Sequence, residues 1–457
     1  MANVRDFGAL GDGQTDDTEA LEHAIAEGDG LVELPRGTYH LTRTVEIDLD
    51  RYGPTAIVGA HGAARLVMSG PGPALRLLGT HAGTADPPSV TQPVWQRQRM
   101  PTVSGLEIVG QHAQADGLEL DGTMQATIQS VLLRRLQYGV HLVNRNRNVL
   151  INAAHIYDNA AIGIFIDRCN LHQAIIAASH ISYNRRAGIA SVGGDLHNLQ
   201  ITGNDIEYNY DQQVADAPAA DIWFDATEGM ASEITIASNT IQARVSEGGA
   251  NVRIVGASGA APKTARLVAV TGNVLGSQQT NLELRDVERV SVTGNTIYDG
   301  ARLAIDVADS EVLSLSGNTF GWSLGPERRM NDGIRLARCR NAVLSGLALA
   351  HSGGPQDIRP TDQRHGAIAL VDCELVAVSG CQLVDPVGHG VVVSGGRMCR
   401  VAGNTIVDTR PTSTMVCAVA VTGGVGHLVE QNLVGGAVDE PFDVAPGTGT
   451  LRENVVH

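Results

Sequence analysis

The sequence predicts an all-β solenoid, a series of short parallel strands coiled about one axis and preceded by a short capping helix. One phrase occurs three times, as HIYDN at 155–159, HISYN at 180–184 and DIEYN at 205–209, in steps of 25 residues. A fixed period of this length is typical of repeat proteins, because each unit buries its apolar side only against a neighbouring copy. The composition agrees, with 53 glycines and 4% aromatic residues.

A second phrase, Gly-Asn-x-aliphatic, continues the repeat toward the C-terminus. It reads GNDI at 203–206, GNTI at 294–297, GNTF at 317–320 and GNTI at 403–406. An apolar alternating segment precedes each copy, which indicates strands between these turns. We expect the asparagines to stack at one turn, with each side-chain amide bonded to the backbone of a neighbouring rung.

Two longer segments, at 80–102 and 351–366, interrupt the repeat. Loops of a solenoid usually project on one side, so each is expected to cover a groove or make a subunit contact. No other segment indicates a boundary. The sequence therefore predicts a single domain over 1–457, with an N-terminal cap at 1–45, rungs at 46–436 and a closing segment at 437–457.

The capping helix is predicted in GQTDDTEALEHAIAEG, which follows the opening NVRDFGALGD. Thr15 or Asp16 is the expected N-cap, and Gly28 and Gly30 are expected to end the helix. The apolar residues that share one face are Ala20, Leu21, Ala24 and Ile25. The segment LVELPRGTYHL then indicates two strands joined by a Pro-Arg-Gly turn.

This opening resembles the N-terminal cap of the pectate-lyase-like superfamily of right-handed parallel β-helices. The resemblance rests on DFGALGDGQTDDTEALEHAI followed by LVELPRGTYHL, and it covers about 40 residues. It implies a right-handed parallel β-helix with a short N-terminal capping α-helix. Because lyases, hydrolases, epimerases and phage tailspikes in this superfamily have similar openings, the resemblance implies a carbohydrate ligand but no single reaction.

Charge and cysteine spacing exclude several classes of partner. The net charge is −16 and Lys263 is the single lysine, which argues against nucleic acid and against an anionic polymer unless calcium bridges the two. The six cysteines lack the close spacing of a metal site and are expected to be buried free thiols. No secretory segment opens the chain and no run approaches 18 apolar residues, so a soluble protein without a membrane partner is expected, its localisation open.

The three phrases also predict a functional patch. If Ile156, Ile181 and Ile206 point inward, the residues on either side of each isoleucine point outward, because strand side chains alternate. These outward residues are His155, His180 and Asp205 in one column and Tyr157, Ser182 and Glu207 in the other. Asp205 and Glu207 are two residues apart on one face, a spacing that suits either a retaining or an inverting pair of carboxylates.

Aromatic residues are predicted beside these carboxylates. The next strand places His141, Phe165, Ala190 and Trp223 in its outward column. An exposed ring next to carboxylates is typical of a sugar site, because the ring stacks on the sugar face. The predicted catalytic residues are Asp205 and Glu207 as the acid/base and nucleophilic or water-activating pair, with His180 and Asp221 to tune them. The predicted substrate-binding residues are His155, Tyr157, Phe165, Tyr183, Arg185, Tyr208 and Trp223.

The sequence leaves three functions open. The leading interpretation is a glycoside hydrolase or transglycosidase without a metal or other cofactor, because the acidic charge favours a neutral substrate. The second is a lyase that acts on a uronate polymer with a histidine, a tyrosine or Arg185 or Arg186 as the base, and calcium is possible there. The third is a non-catalytic glycan-binding or tailspike-like trimer. Mannuronan C5-epimerases have a DPHE motif that is absent from the comparable stretch YGVHLVN at 138–144.

Overall fold

The computed structural model describes residues 2–84, 86–211, 218–321, 333–353 and 366–457. Contacts divide the chain into two compact units, Met1–Thr235 and Ile236–His457. Each unit consists of parallel strands stacked in right-handed β-helix rungs, as the sequence predicts. The single domain remains a prediction.

Unit 1 contains a sheet of mostly long strands, called sheet A, and a sheet of shorter strands, called sheet B. The strands of sheet A are Ala2–Asn3, Leu31–Leu34, Val45–Asp48, Ala56–Gly59, Gly72–Leu78, Thr102–Ser104, Ala115–Met124, Thr127–Gln129, Tyr138–Asn152, Ile162–Ala177, Ala187–Thr202 and Ala220–Ala237. The strands of sheet B are Asp12–Asp16, Gly37–Leu41, Ala64–Met68, Leu106–Gly110, Leu132–Arg134, His155–Tyr157, His180–Ser182 and Asp205–Glu207.

Unit 2 repeats the same two kinds of strand. Its longer strands are Ala250–Gly256, Ala265–Thr271, Thr280–Arg285, Val287–Thr293, Leu303–Ala308, Glu311–Ser316, Ile334–Ala337, Arg340–Ser345, Ile368–Val371, Glu374–Ser379, Gly388–Ser394, Arg400–Ala402, Met415–Val421, His427–Glu430, Phe442–Val444 and Gly449–Arg452. Its shorter strands are Thr240–Gln242, Val274–Gly276, Thr296–Tyr298, Thr319–Gly321, Ala348–Ala350, Gln382–Val384, Thr405–Val407, Leu433–Gly435 and Val455–Val456.

The strand phase in sheet B of unit 1 is the predicted one. Ile156, Ile181 and Ile206 are each 0% exposed, because they point into the coil. Their flanking residues pair in register from rung to rung, so His155 lies opposite His180 and His180 opposite Asp205. The period of 25 residues therefore aligns equivalent side chains on one outer face.

The helices of the described residues all lie in unit 1. They are α1 at Thr18–Glu27, α2 at Leu49–Tyr52 and α3 at Gln92–Arg97, with 3₁₀ turns at Val4–Phe7 and Pro87–Ser89. The predicted apolar face of α1 is confirmed, since Ala20, Leu21, Ala24 and Ile25 are all buried. Asp17 occupies the N-cap position instead of Thr15 or Asp16, and its carboxylate accepts the N–H groups of Leu10 and Gly11. Among the described helices, none is long and apolar enough to cross a membrane.

Buried amide ladders join the rungs at their turns, as predicted. In unit 2, Asn295 donates from Nδ2 to Oδ1 of Asn318 at 2.9 Å and to the backbone oxygen of Val270 at 2.9 Å. In unit 1, Asn184 makes the same pair of bonds to Asn209 and Ile156. Because every buried amide needs partners, each ladder fixes the register of its rungs. The six cysteines are buried and unpaired, as expected.

The segment at 80–102 packs against the outside of sheet A. It includes α3, and its Val90 and Val94 form a hydrophobic cluster with Met124. The segment therefore covers part of the strand surface, while the groove and the subunit contact remain predictions. Residues 354–365 of the second predicted insertion lie outside the described residues.

Candidate functional site

The predicted patch on sheet B forms a polar ladder on the surface of unit 1. The rings of His155 and His180 stack with centroids 5.2 Å apart and planes 2° apart. His180 Nδ1 lies 3.1 Å from Oδ2 of Asp205, so the ladder ends in a histidine–carboxylate pair. Both histidines are exposed, and the side chain of Asp205 is 39% exposed. The pair is therefore open to solvent and to a ligand.

Asp205 and Glu207 lie on the outer face of one short strand, two residues apart. Partial burial raises the pKa of Glu207 above its usual value, as do the charge of Asp205 and its side-chain interaction with Glu207, while His180 opposes the shift. A nearby negative charge disfavours the ionisation of a second carboxyl group.

The predicted binding tyrosines stand at the edge of this patch. Tyr183 and Tyr208 stack with ring centroids 5.6 Å apart, and both have a positive φ, 56° and 55°, at the turn that follows the strand. Tyr183 is 49% exposed and Arg185 is also exposed, whereas Tyr157 is half-buried opposite Ser182. Tyr183, Tyr208 and Arg185 thus form an aromatic and cationic rim next to the Asp205–Glu207 pair.

The prediction that Phe165 is an exposed platform is wrong. Its phase is correct, because its neighbours Ile164 and Ile166 point inward at 0% and 1% exposure. However, Phe165 is only 8% exposed, since it packs on the outside of sheet A with Ile162, Ala187 and Ala190. Trp223 is partly buried against the same cluster, with Arg186 5.7 Å above its ring.

Asp221 is not an exposed carboxylate beside the Asp205–Glu207 pair, as the sequence predicts, but a buried one bonded to Asn209. It is 1% exposed and accepts the backbone N–H of Asn209 at 3.1 Å and its side-chain amide at 3.0 Å. Asp221 therefore continues the ladder of Asn159, Asn184 and Asn209 as an acceptor. The predicted tuning role is replaced by a structural one, because the carboxylate is held inside the turn.

A second cluster, which the sequence only partly indicated, lies on the outer side of sheet A around His141. His141 Nε2 lies 3.4 Å from Oδ2 of Asp167, and Nδ1 lies 3.8 Å from Oε2 of Glu119. The ring of Tyr138 is 4.8 Å from that of His141 and 5.0 Å from that of Phe165. We call Tyr138, His141, Asp167 and Glu119, with Arg76 and Asp116 described below, the His141 cluster.

Arg76 anchors the acidic side of this cluster. Its guanidinium lies 2.9 Å from Glu119, 2.7 Å from Asp121 and 3.6 Å from Glu46. Asn144 donates a further bond to Asp121 at 2.9 Å. Since Arg76 engages one oxygen of Glu119, the other oxygen is directed toward His141.

Asp116 is the buried acid of the cluster. It is 8% exposed and accepts the backbone N–H of Tyr138 at 3.0 Å. Burial raises its pKa to about 6, against the smaller opposing effects of the Tyr138 bond and His141. A carboxyl group with such a pKa changes protonation near neutral pH.

This arrangement suits general acid–base chemistry. With Asp167 as the acceptor, Nε2 of His141 carries the ring proton and Nδ1 is left as the basic nitrogen. Nδ1 is buried 3.8 Å from Oε2 of Glu119 and has no hydrogen-bond partner among the residues that the structure describes, so a substrate reaches it only when neighbouring side chains move. Carboxylates on both sides of the ring stabilise the charge that it gains on accepting a proton.

The signal for this cluster in the sequence was weak. His141 was recognised as outward, but Glu119 and Asp167 come from two other rungs and belong to no repeated phrase. In adjacent strands Glu119 pairs with His141 and His141 pairs with Phe165, two residues before Asp167. Only this register brings Glu119, His141 and Asp167 together.

Family models match most of the chain. The right-handed β-helix region matches residues 94–259 and 231–454, and a second model, described as rhamnogalacturonase A/epimerase, pectate lyase-like, matches residues 1–69. The chain belongs to the right-handed β-helix family. The resemblance of the opening segment to the pectate-lyase-like superfamily is thereby confirmed.

The curated relatives match only a short segment of this β-helix protein. A segment of 44 residues is 54% identical to the mannuronan C5-epimerase AlgE3 of Azotobacter vinelandii and covers 9% of this chain and 2% of the epimerase. Alginate lyase 7 of the same organism is 52% identical over 44 residues, which cover 9% of this chain and 5% of the lyase. The match thus spans a small fraction of either relative.

Solved structures resemble the whole chain at low identity. The A-module of mannuronan C-5 epimerase AlgE4 from Azotobacter vinelandii has a TM-score of 0.47 at 15% identity, over 98% of this chain and 99% of the module. The Dettilon tailspike protein also has a TM-score of 0.47 at 15% identity, over 98% of this chain and 68% of the tailspike. A similarity at this level does not extend to the reaction.

Proposed function

We propose that this β-helix protein is a carbohydrate-active enzyme that removes a proton from the carbon next to a sugar carboxylate, with His141 as the base. The observation that carries the proposal is the position of His141 between Asp167 and Glu119, with Tyr138 against its ring. This reaction is that of the lyase predicted as the second function from the sequence. We assign the histidine or tyrosine base of that lyase to the His141 cluster.

The proton balance of the reaction uses only groups in this cluster. Nδ1 of His141 accepts the proton on the carbon, and Asp167 and Glu119 stabilise the resulting imidazolium. In a β-elimination the electron pair forms a carbon–carbon double bond, the glycosidic oxygen leaves, and that oxygen takes a proton from the hydroxyl of Tyr138.

A uronate is the expected substrate because its carboxylate acidifies the neighbouring C–H bond. Arg186, exposed above the ring of Trp223, is placed to neutralise that carboxylate at the edge of the cluster. The names of the relatives that share a 44-residue segment with this chain, a mannuronan C5-epimerase and an alginate lyase, support this substrate class. Calcium that bridges the acidic surface and the polymer remains part of the proposal for a lyase.

Glycoside hydrolysis at Asp205 and Glu207 is the second candidate. It is favoured by the raised pKa of Glu207, which supplies an acid beside a carboxylate, and by the net charge of −16, which favours a neutral substrate.

A polysaccharide panel in deuterated water tests both candidates. Proton abstraction gives either an ultraviolet-absorbing unsaturated product or deuterium on the sugar carbon, and His141→Gln removes it. Hydrolysis gives new reducing ends without absorbance or deuterium, and Glu207→Gln removes it. Binding without any product on every polymer contradicts both candidates and favours the glycan-binding alternative.

A further inference from the structure

Arg145 is a charged residue buried on the outer side of sheet A in unit 1. It is 8% exposed, and its Nε donates to Nε2 of His81 at 3.3 Å. Its Nη1 donates to Asn170, and its Nη2 has no hydrogen-bond partner among the residues that the structure describes. No carboxylate of the described chain lies within 4.0 Å of its guanidinium.

A second arginine and two histidines lie near Arg145. Arg147, on the same side of the strand, is 6% exposed and donates to the backbone oxygen of Thr84 at 3.0 Å. His172 lies opposite Arg147 on the next rung, and its Nδ1 has no partner within the described residues. Burial lowers the pKa of Arg145, and the charge of Arg147 lowers it further. Burial also lowers the pKa of His81, to about 4. Arg145 and Arg147 are therefore close enough to repel one another.

The nearest acid already has a partner. Asp195 lies in the outward column of Arg145, two rungs further, and its carboxylate is 3.0 Å from Nε2 of His197. Glu233 lies 3.7 Å from the other nitrogen of the same histidine. Neither acid contacts the guanidinium of Arg145, so among the described residues no carboxylate in contact balances its charge.

We propose that Arg145, with Arg147 and His172, forms a binding site for an oxyanion, either a carboxylate or a sulfate group. A buried charge without a counter-charge is unfavourable, so a group that supplies the missing charge binds with a gain in free energy. The unpaired Nη2 offers two N–H donors, and the planar guanidinium group suits the paired oxygens of a carboxylate or a sulfate. The segment at 80–102 covers the site through Thr84, which excludes water and strengthens the attraction.

The oxyanion can be a free ion or a substituent on a sugar, and one titration distinguishes them. The intact protein is titrated by calorimetry with sodium sulfate and with glucuronate at constant ionic strength, with chloride as the reference anion. Tighter binding of glucuronate assigns the site to a sugar carboxylate, and tighter binding of sulfate assigns it to a free inorganic anion or a sulfate ester. Equal heats for all three anions contradict the site.

Variants test the role of Arg145. We expect Arg145→Gln to lower the affinity for the preferred anion at least roughly thirtyfold, because one member of a buried charge pair is lost. Arg135→Gln is the matched control, since Arg135 is 63% exposed and its removal should leave the affinity unchanged. If Arg145→Gln does not fold, Arg145→Lys is used instead, because it keeps the positive charge and loses the planar guanidinium group. Arg145→Lys should weaken binding at least about tenfold. Unchanged affinity in the folded variant overturns the proposal, which does not depend on the reaction at His141.

Discussion

His141 Nε2 lies 3.4 Å from the Oδ2 atom of Asp167, which belongs to the next rung of the same sheet. The register places Phe165 opposite His141, so Asp167 is two residues further on the same outer side. A carboxylate in this position fixes the tautomer and the orientation of an imidazole ring. The contact therefore gives His141 the geometry of a general base before substrate binds.

The first prediction concerns this contact. Asp167→Asn should lower kcat by about tenfold to a hundredfold, because the amide no longer stabilises the imidazolium. KM should change little, since the substitution leaves the ring and the pocket in place. Steady-state kinetics on the polymer found by the panel measures both, with Asp158→Asn as the control because the side chain of Asp158 is 56% exposed. An unchanged kcat contradicts the role of Asp167.

The second prediction concerns the stability contributed by Asp116. Burial raises the pKa of Asp116 from 3.8 to about 6, so the folded protein holds one more proton than the unfolded chain between these values. The stability of the wild type should therefore fall, relative to Asp116→Asn, as the pH rises from 4 to 7, by roughly 1–3 kcal/mol. Asparagine keeps an acceptor for the N–H of Tyr138. Urea unfolding at several pH values checks this, and parallel curves for the two proteins contradict it.

The third prediction concerns the carboxyl pair on sheet B. Since the pKa of Glu207 is raised by burial and by Asp205, the folded state resists its ionisation. Glu207→Gln should therefore raise the melting temperature at pH 7 and have a smaller effect at pH 4, where wild-type Glu207 is protonated in both states. Differential scanning calorimetry measures the shifts, with the exposed Glu228→Gln as the control. A variant that melts below the wild type at pH 7 argues against a raised pKa of Glu207.

The fourth prediction concerns the amide ladder of unit 1. Asn184→Ala should lower the free energy of unfolding by about 2–4 kcal/mol, because it leaves Asn159 without its acceptor at 2.8 Å and Asn209 without its donor. Gln200→Ala, on an exposed position of sheet A, should change it by less than about 0.5 kcal/mol. Equal effects of the two substitutions in denaturant titrations are incompatible with a structural ladder.

The sequence predicted the parts of this protein that repeat. Ile156, Ile181 and Ile206 occupy one position of a 25-residue period, so their burial follows from alternation alone. The stacked asparagines were predictable for the same reason, because each occupies the same turn. The phase of Phe165 was also correct, but its burial depends on contacts with neighbouring residues that no local pattern encodes.

The parts of the site that the sequence did not reveal depend on contacts between unlike rungs. Asp221 resembled a free carboxylate near Trp223, yet it takes the place of an asparagine at the end of a ladder. Glu119 and Asp167 surround His141 although neither belongs to a repeated phrase. A single sequence shows which residues face outward but not which outward residues meet.

The most direct test of the central claim is a comparison of wild type, His141→Gln and Glu207→Gln on uronate polymers in deuterated water. Our account predicts deuterium uptake or an unsaturated product with the wild type, a loss of at least about a hundredfold with His141→Gln, and near-normal activity with Glu207→Gln. Full activity of folded His141→Gln, or reducing ends formed without deuterium or absorbance and abolished by Glu207→Gln, would contradict it.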